Sequence, residues 1–282
     1  MCPACPHERC SLVAEVDVRG VSVVHWNPQR AVTRFGVRIG RRPVDNFGDL
    51  IGPFLVDRLV DRQARATRSG LRLLTVGSIM RLAEPGDSVW GTGVNGKSLG
   101  ADVAFGPGEL DVRAVRGPLT QQFLERRGVA APSVFGDPGL LVADLFDRDE
   151  IRERRGIADV TIVPNLHDFA HTRRSHREAL DPRSPLVECI ERIASSRLVV
   201  GSSLHGIVVA EAFGIPARLV QPGTEPSFKY DDYYRGTGRD GYTPAADVAQ
   251  AVALGGEPPL EWDPAPLRAA FPHDLWQPEV TR

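Results

Sequence analysis

The sequence lacks a surplus of charge of either sign. Lysine and arginine together number 34 of its 282 residues, aspartate and glutamate number 36, and the formal net charge is −2. A protein that binds the phosphate backbone of nucleic acid needs a basic face, because each contact replaces a condensed counterion with Lys or Arg. The charge balance therefore argues against a nucleic-acid partner.

Long apolar runs are also missing. The longest uncharged apolar stretch lies between Arg197 and Glu211, and glycine, serine and histidine interrupt it. A helix that spans a bilayer needs about 20 consecutive apolar residues. The first residues do not combine a basic start with an apolar segment, as a signal peptide does. We therefore expect a cytoplasmic protein without a transmembrane segment, which reaches the membrane surface only through a lipid-linked substrate.

Cysteine is scarce, with four residues in the chain. Cys2, Cys5 and Cys10 lie among the first ten residues together with His7. Three thiolates and an imidazole form a zinc ligand set. Ligands crowded at a chain end, with no second half to fold around the metal, are more typical of a tail. We expect no metal here, with zinc binding by these four residues as the alternative. Cys189, in an apolar stretch, is expected to be a small buried hydrophobe.

Apolar residues are plentiful and regularly arranged. The hydrophobic share of 42% and the charged share of 25% are those of a folded soluble protein. Short apolar runs that end in glycine turns alternate with segments of helical periodicity, which predicts parallel strands joined by helices. We predict an α/β fold of two Rossmann-like domains that face each other across a cleft. The expected boundaries are an N-terminal tail over residues 1–19, a first domain over 20–150, a second domain over 151–255 and a C-terminal helical segment over 256–282.

The clearest chemical signal is the sequence Gly-Ser-Ser-Leu-His-Gly over residues 201–206. A buried strand ends there and a helix begins, so free backbone N–H groups and the helix dipole favour an anion. His205 lies in the first helical turn, where it can exchange a proton with a bound substrate. The helix N-terminus favours neutral imidazole and a bound anion favours imidazolium. The alternative is a histidine that only caps or packs.

Two further segments carry candidate binding groups. Arg116 follows a predicted strand and precedes the helix start Gly117-Pro118, a place from which a guanidinium can grip phosphate or carboxylate. A surface ion pair is the alternative for Arg116. Residues 229–235 mix both charges with three tyrosines, which suits either a loop that faces a sugar or a solvated strap between domains.

Six segments together resemble the polysaccharide pyruvyl transferase family. In chain order they are Asn-Phe-Gly-Asp (46–49), Val-Arg-Gly-Pro-Leu-Thr (115–120), Phe-Gly-Asp-Pro-Gly-Leu-Leu (135–141), Asp-Pro-Arg-Ser-Pro (181–185), Ser-Ser-Leu-His-Gly (202–206) with Ala-Glu-Ala-Phe-Gly-Ile-Pro (210–216), and Lys-Tyr-Asp-Asp-Tyr (229–233). Each segment is weak evidence by itself. The ordered set spans about residue 46 to residue 235.

The resemblance implies a fold similar to the glycosyltransferase B architecture. It also implies transfer of pyruvate from phosphoenolpyruvate to two hydroxyls of one sugar, as a cyclic ketal, on a polysaccharide precursor or lipid-linked oligosaccharide. Phosphoenolpyruvate is the donor substrate, and no cofactor or metal is expected. In the family, the histidine of Leu-His-Gly and the arginine of Arg-Gly-Pro serve the donor site. These residues correspond to His205 and Arg116.

From this resemblance we predict two sets of site residues. The donor-binding set is Arg116, Ser202, Ser203, Leu204, His205, Gly206 and Lys229, and its catalytic members are His205 and Arg116. The acceptor-binding set is Asn46, Asp49, Asp137, His167, Asp231 and Tyr233, with Asp168 beside His167.

One departure from the family pattern bears on these predictions. Many members have arginine before Leu-His-Gly, and this chain has Ser203. We expect Arg116 and the helix N-terminus to bind the donor without that arginine, or Lys229 or Arg235 to replace it. Two other functions stay open at this point. One is a sugar-nucleotide glycosyltransferase of the same architecture, and the other is a degenerate member that acts as a binding or scaffold subunit.

Overall fold

A computed structural model describes residues 13–34, 37–100 and 102–278. The cysteine-rich start, with the alternative zinc ligands Cys2, Cys5, His7 and Cys10, lies outside these residues. In chain order the described strands and helices are β1 (Val13–Val18), β2 (Val21–Trp26), β3 (Gln29–Arg34), β4 (Val37–Pro43), α1 (Phe47–Leu59), β5 (Ala64–Ala66), β6 (Leu71–Leu74), β7 (Ser88–Trp90), β8 (Asp111–Ala114), α2 (Pro118–Glu125), α3 (Arg148–Arg155), β9 (Ala158–Ile162), α4 (Phe169–Ser175), α5 (Leu186–Ala194), β10 (Ser196–Gly201), α6 (Leu204–Ala212), β11 (Ala217–Leu219), α7 (Phe228–Gly236), α8 (Val248–Leu254), α9 (Ala265–Ala269) and β12 (Trp276–Pro278).

The first half of the chain forms a five-stranded sheet in the order β1-β2-β6-β7-β8. Strands β2, β6, β7 and β8 run parallel, and β1 is an antiparallel edge strand. The second half forms a parallel three-stranded sheet in the order β11-β10-β9. Strand β10 is central and buried at its end, as the apolar run before residue 201 predicts. The mixed α/β architecture with parallel strands is confirmed.

One cluster of buried side chains joins elements from both halves. Phe47 and Ile51 of α1 share this cluster with Ile193 of α5 and Val208 of α6. Cys189 also belongs to it and is fully buried, as predicted. A 3₁₀ helix over Pro138–Leu145 packs against α6. The start of α6 is therefore held by contacts from the first half of the chain as well as from the second.

The two chain ends differ from the sequence prediction. Residues 13–18, predicted as tail, form β1, because Arg19 and Gly20 adopt positive φ angles of 54° and 91° and close a two-residue hairpin onto β2. The segment 256–282, predicted as helical, contains α9 and then β12, which pairs with β5. The Trp276 indole N–H donates to the Val18 carbonyl at 2.9 Å, so this segment packs on the first sheet.

Residues 229–235, predicted as a sugar-facing loop or solvated strap, form most of helix α7. Tyr230, Tyr233 and Tyr234 are buried at 0%, 0% and 1% exposure, which explains why this charged segment does not lie free in solvent. Within the part of the chain that the structure describes, no helix is long and apolar enough to cross a membrane.

Candidate functional site

A cavity of about 510 Å³ lies at the start of α6. Side chains from both halves of the chain line it. The polar and charged lining residues are Asn46, Asp49, Ser78, Arg81, Asn95, Lys97 and Ser98 from the first half, and Asn165, His167, Ser203, His205, Glu225 and Lys229 from the second.

The strand exit at β10 leads directly into α6. Gly201 has φ +149°, and a Cβ there would lie 2.2 Å from the Val163 carbonyl oxygen, so only glycine fits. The Ser203 hydroxyl caps α6 by accepting the Gly206 N–H at 3.2 Å. Ser203 and Leu204, which were predicted for the donor site, line the cavity. Ser202 does not face it, because its hydroxyl accepts the Asn165 N–H and its carbonyl accepts the Tyr230 hydroxyl.

His205 projects from the first turn of α6 into the cavity wall. Its side chain is only 13% exposed. The ring packs against the backbone of α1, where a Cβ on Gly48 would lie 2.1 Å from Nδ1. Burial lowers the pKa of His205 to about 3, and the positive charges of Lys229 and Arg116 add to this effect. The imidazole is therefore neutral at physiological pH when no anion is bound, in the direction that the helix N-terminus predicts.

Asp137, predicted to bind the acceptor, is fully buried behind His205 and does not face the cavity. Its Oδ1 accepts the Gly139 N–H at 2.9 Å and so caps the 3₁₀ helix that follows. Its Oδ2 lies 3.9 Å from His205 Nε2. Burial raises the pKa of Asp137 to about 6. Because Pro138 opens a buried turn, the aspartate points inward to cap it rather than outward to a sugar.

Arg116, predicted to grip the donor, is also fully buried. Its Nε donates to Asp232 Oδ2 at 3.0 Å and one terminal nitrogen donates to the Val94 carbonyl at 2.8 Å. The other terminal nitrogen donates to the Ser78 hydroxyl at 2.6 Å, and Ser78 lines the cavity. The guanidinium thus lies one side chain behind the cavity wall. Its partner Asp232 is on α7, which the sequence alone did not place beside Arg116.

The cavity contains a cluster that sequence reasoning missed. Glu225 is nearly buried, with its side chain 4% exposed, and accepts from Lys97 Nζ at 2.6 Å and Lys229 Nζ at 3.1 Å. Asn95 Nδ2 also donates to this carboxylate at 3.3 Å. Burial alone would raise the pKa of Glu225, but the charges and hydrogen bonds of the two lysines outweigh it and hold the pKa at about 2. Burial lowers the pKa of Lys229, and Glu225 opposes that shift.

A signal for this cluster was present in the composition. Lys97 and Lys229 are the only two lysines among the 282 residues, beside 32 arginines. Two lysines that converge on one carboxylate in a cavity are unlike the solvated charges of an ordinary surface. Lys229 was predicted for the donor site and lies in the cavity, whereas Arg235, the other basic residue considered, is exposed.

Lys97 also lies in a sequence pattern that resembles a phosphate-binding motif. Residues 91–98 have the Gly-x-x-x-x-Gly-Lys-Ser spacing of a phosphate-binding P-loop. A P-loop needs a helix that begins at this lysine, because the helix N-terminus and loop amides hold the phosphates. Here Gly96–Ser98 form only a 3₁₀ turn, and the Lys97 N–H is taken by the Asn95 side chain at 3.0 Å. The local geometry is therefore not that of a P-loop.

Three residues predicted for the acceptor do face the cavity. Asn46 and Asp49 open α1, and Asn46 Nδ2 donates to Asp49 Oδ2 at 2.5 Å. Burial raises the pKa of Asp49 to about 6, against the hydrogen bond from Asn46 and the charge of Lys229. His167, with its side chain 50% exposed, has Nε2 3.6 Å from Glu225 Oε1. These three side chains therefore line the same cavity as Lys97, Lys229 and Glu225.

The other two residues predicted for the acceptor, Asp231 and Tyr233, are not among the lining residues of this cavity. The Tyr233 hydroxyl is buried and donates to Glu211 Oε2 at 2.5 Å. Asp231 Oδ1 accepts the Tyr242 hydroxyl at 2.9 Å. Both side chains are used within the packing of α7, because this segment is a helix rather than a loop.

A second cavity of about 320 Å³ lies at the carboxyl ends of β9, β10 and β11. Asp168, considered beside His167, faces this cavity instead of the first, and its Oδ2 accepts Asn165 Nδ2 at 2.7 Å. The described lining residues include two histidines and two aspartates but no lysine or arginine. Across the described ranges, no group of three or more His, Cys, Asp or Glu residues is arranged to hold a metal ion.

Comparison with known proteins finds a family model and relatives that match parts of the chain. The family model "Polysaccharide pyruvyl transferase" matches residues 107–222, which contain Arg116, Asp137 and His205. The succinoglycan biosynthesis protein ExoV of Rhizobium meliloti (strain 1021) is 32% identical over 159 residues, which cover 53% of this chain and 48% of that protein. The chain thus matches about half the length of ExoV.

A second relative is the uncharacterized protein L143 of Acanthamoeba polyphaga mimivirus. It is 28% identical over 217 residues, which cover 70% of this chain and 73% of that protein. The comparisons confirm the resemblance to the polysaccharide pyruvyl transferase family, and residues 107–222 are the part of the chain that carries it.

Proposed function

We propose that this protein transfers pyruvate from phosphoenolpyruvate to two hydroxyls of one sugar, forming a cyclic ketal in exopolysaccharide biosynthesis. The observation that carries the proposal is a neutral, nearly buried His205 at a helix N-terminus, in a cavity that also holds both lysines of the chain. The family match and the resemblance to a succinoglycan biosynthesis protein support it. The acceptor is a free or lipid-linked saccharide.

The donor brings two anionic groups, a phosphate and a carboxylate, into the cavity. The start of α6 offers backbone N–H groups and the positive end of the helix dipole to one of them. Lys97 and Lys229 offer ammonium groups to the other, in competition with Glu225. These groups take over the binding role that the resemblance assigns to Arg116 and to the arginine replaced by Ser203.

Proton transfer is the central role of His205. The negative charge of the donor raises the pKa of the imidazole, so that His205 takes up a proton only when the donor is present. It then donates this proton to C3 of phosphoenolpyruvate, and C2 becomes an oxocarbenium-like electrophile. A proton from a sugar hydroxyl later restores the histidine.

The remaining steps form two C–O bonds and break one. The first sugar hydroxyl adds to C2, phosphate leaves with the electrons of its C–O bond, and the second hydroxyl closes the ketal. The new methyl group contains the proton that His205 took from solvent. One hydroxyl proton replaces it on the histidine and returns to solvent when the products leave, and the other hydroxyl proton ends on phosphate. Asp49, whose pKa is about 6, is placed to accept a hydroxyl proton, and Asn46 orients it. Each step uses a side chain or a substrate, so the proposal assigns no cofactor.

The architecture is part of the proposal. We infer that the five-stranded and three-stranded sheets are the centres of two Rossmann-like domains, similar to the glycosyltransferase B arrangement. The cavity then lies in the cleft, which accounts for its lining by residues 26–98 and 165–229. Arg116 contributes positive charge and holds Ser78 in the wall, without direct contact with the donor.

Calorimetric titration of phosphoenolpyruvate into the wild type tests the donor assignment. Lys97→Gln and Lys229→Gln should each weaken binding about 10- to 100-fold, the value of a lost charge-assisted hydrogen bond. Arg197→Gln is the matched control, because it removes one positive charge from a side chain that is 65% exposed and outside the cavity. Equal affinity in all four proteins would contradict the assignment.

The same titration separates the alternatives. Binding of a uridine diphosphate sugar, but not of phosphoenolpyruvate, would favour the glycosyltransferase. The second cavity, where that fold class binds ligands at strand ends, has no lysine or arginine among its described lining residues to hold a diphosphate. Donor binding without phosphate release, for every saccharide tried, would favour the scaffold subunit.

A further inference from the structure

Two buried polar atoms face each other without hydrogen-bond partners. They are Asp137 Oδ2 and His205 Nε2, and they lie 3.9 Å apart. Buried polar side-chain atoms in folded proteins are nearly always hydrogen-bonded, because an unpaired atom loses its hydrogen bonds to water without gaining a bond in the protein. The gap is about 1 Å longer than a hydrogen bond between nitrogen and oxygen. A small movement of the imidazole would satisfy both atoms at once.

The carboxylate is the fixed member of this pair. Asp137 Oδ1 is tied to the Gly139 N–H at 2.9 Å, and Pro138 restricts the backbone between them. Gly139 lies against Val208 of α6, where a Cβ would come within 3.0 Å of the valine side chain. Asp137 is thus anchored to the same helix that carries His205. On its other side the ring packs against Gly48, and Nδ1, unlike Nε2, is not among the buried atoms without a partner.

Charged groups from α7, from the segment after β8 and from α1 surround the pair. Lys229 of α7 and Arg116, after β8, lower the pKa of His205 in addition to burial. Arg116 lowers and Asp232 of α7 raises the pKa of Asp137, within a net upward shift caused by burial. Asp49 lies in the first turn of α1, next to Gly48. Without a donor, the two cations therefore oppose an imidazolium. A bound donor anion would screen them, and Asp137 would then become the nearest counter-charge.

We propose that Asp137 is a positioning residue for His205, which accepts a hydrogen bond from Nε2–H when the donor binds and so leaves the Nδ1 proton for transfer. The inference rests on the proposed function. In the unliganded protein the imidazole is neutral. Donor binding brings one proton from solvent, which makes both ring nitrogens N–H. His205 then gives the Nδ1 proton to C3 of the donor and keeps Nε2–H on Asp137, until a sugar hydroxyl returns the proton.

Asp137→Asn provides a sharp test, because the amide oxygen can keep the bond to Gly139 N–H. The amide nitrogen then replaces Oδ2 and donates to Nε2, so Nε2 stays unprotonated and imidazolium cannot form. The readout is the ¹⁵N chemical shift of the His205 ring in ¹⁵N-histidine-labelled protein, assigned by the signals lost in His205→Gln. With phosphoenolpyruvate, the wild type should show both ring nitrogens protonated. Asp137→Asn should bind the donor within about threefold of the wild type and show a neutral ring.

Kinetics give the second readout. Asp137→Asn should lower kcat about 10²- to 10⁴-fold, the usual contribution of a correctly protonated general acid, with little change in KM for phosphoenolpyruvate. Donor-induced protonation of Nε2 in the wild type and equally in Asp137→Asn would overturn this inference alone. An unprotonated Nε2 in the donor-bound wild type would overturn it without any variant. Absence of every donor-dependent change in the wild type would overturn the proposed function together with it.

Discussion

The buried pair of Arg116 and Asp232 gives a prediction that separates a structural role from a binding role. Both side chains are 0% exposed and lie 3.0 Å apart. Arg116→Met keeps a long apolar chain in place but removes every guanidinium donor. Asp232 would keep its bonds from the Thr120 N–H and hydroxyl, at 2.9 and 2.7 Å, but its charge would have no cation beside it. The Ser78 hydroxyl and Val94 carbonyl would also lose their partner.

The expected loss of stability is large. Removal of one member of a buried ion pair costs about 3–5 kcal/mol, because the other charge stays desolvated and unpaired. The matched control is Arg197→Met, whose pair with Asp159 is 3.2 Å long but 65% and 91% exposed. An exposed pair contributes about 0–1 kcal/mol, so this control should unfold almost as the wild type does.

Urea unfolding, followed by tryptophan fluorescence, measures both variants. The double variant Arg116→Met/Asp232→Asn should lose less free energy of unfolding than the two single variants combined, since both remove the same pair. The reasoning is refuted if Arg116→Met unfolds within about 1 kcal/mol of Arg197→Met. In that case Arg116 would be free to serve the donor directly, as the family resemblance implies.

Three further predictions concern residues in and around the cavity. Gly48→Ala should lower kcat while α1 stays folded, because its Cβ would lie 2.1 Å from Nδ1 of His205 although alanine favours helix. Glu225→Gln should tighten phosphoenolpyruvate binding on the order of tenfold in calorimetry, because both lysines lose a competing anion. Asp137→Asn should become more stable than the wild type as pH rises. Burial raises the pKa of Asp137 from 3.8 to about 6. The protonated carboxyl group therefore stabilises the folded wild type fully below about pH 4, and this stabilisation is lost as the pH rises through 6. The difference should reach at most about 3 kcal/mol above pH 6.

Each of these predictions has a control or a contrary result. Gly241→Ala adds the same methyl group where nothing lies within 4 Å, and should leave kcat unchanged. Weaker donor binding in Glu225→Gln would mean that the carboxylate holds the lysines in place instead of competing with the donor. A constant difference in thermal unfolding between Asp137→Asn and the wild type from pH 4 to pH 7 would contradict the raised pKa.

The sequence by itself determined the local features of the site. The alternation of apolar runs and helical segments predicted parallel strands joined by helices, which the structure confirms. The start of α6 and the place of His205 in its first turn were predicted from a few adjacent residues, and the structure adds the cap at Ser203. Such features are readable because strand exits, caps and helix dipoles depend on neighbours in the chain.

Only the tertiary structure decided which charged groups face the cavity. Arg116 turns inward because Asp232, 116 residues away in the sequence, lies beside it. Asp232 belongs to the 229–235 segment, which forms most of the buried helix α7. Lys97 enters the site because Glu225, 128 residues away, holds it there. Asp137 points at His205 instead of at a sugar because it caps the 3₁₀ helix that packs on α6. A charged side chain is buried only where an oppositely charged or hydrogen-bonding group lies beside it, and residues so distant in sequence come together only when the chain folds.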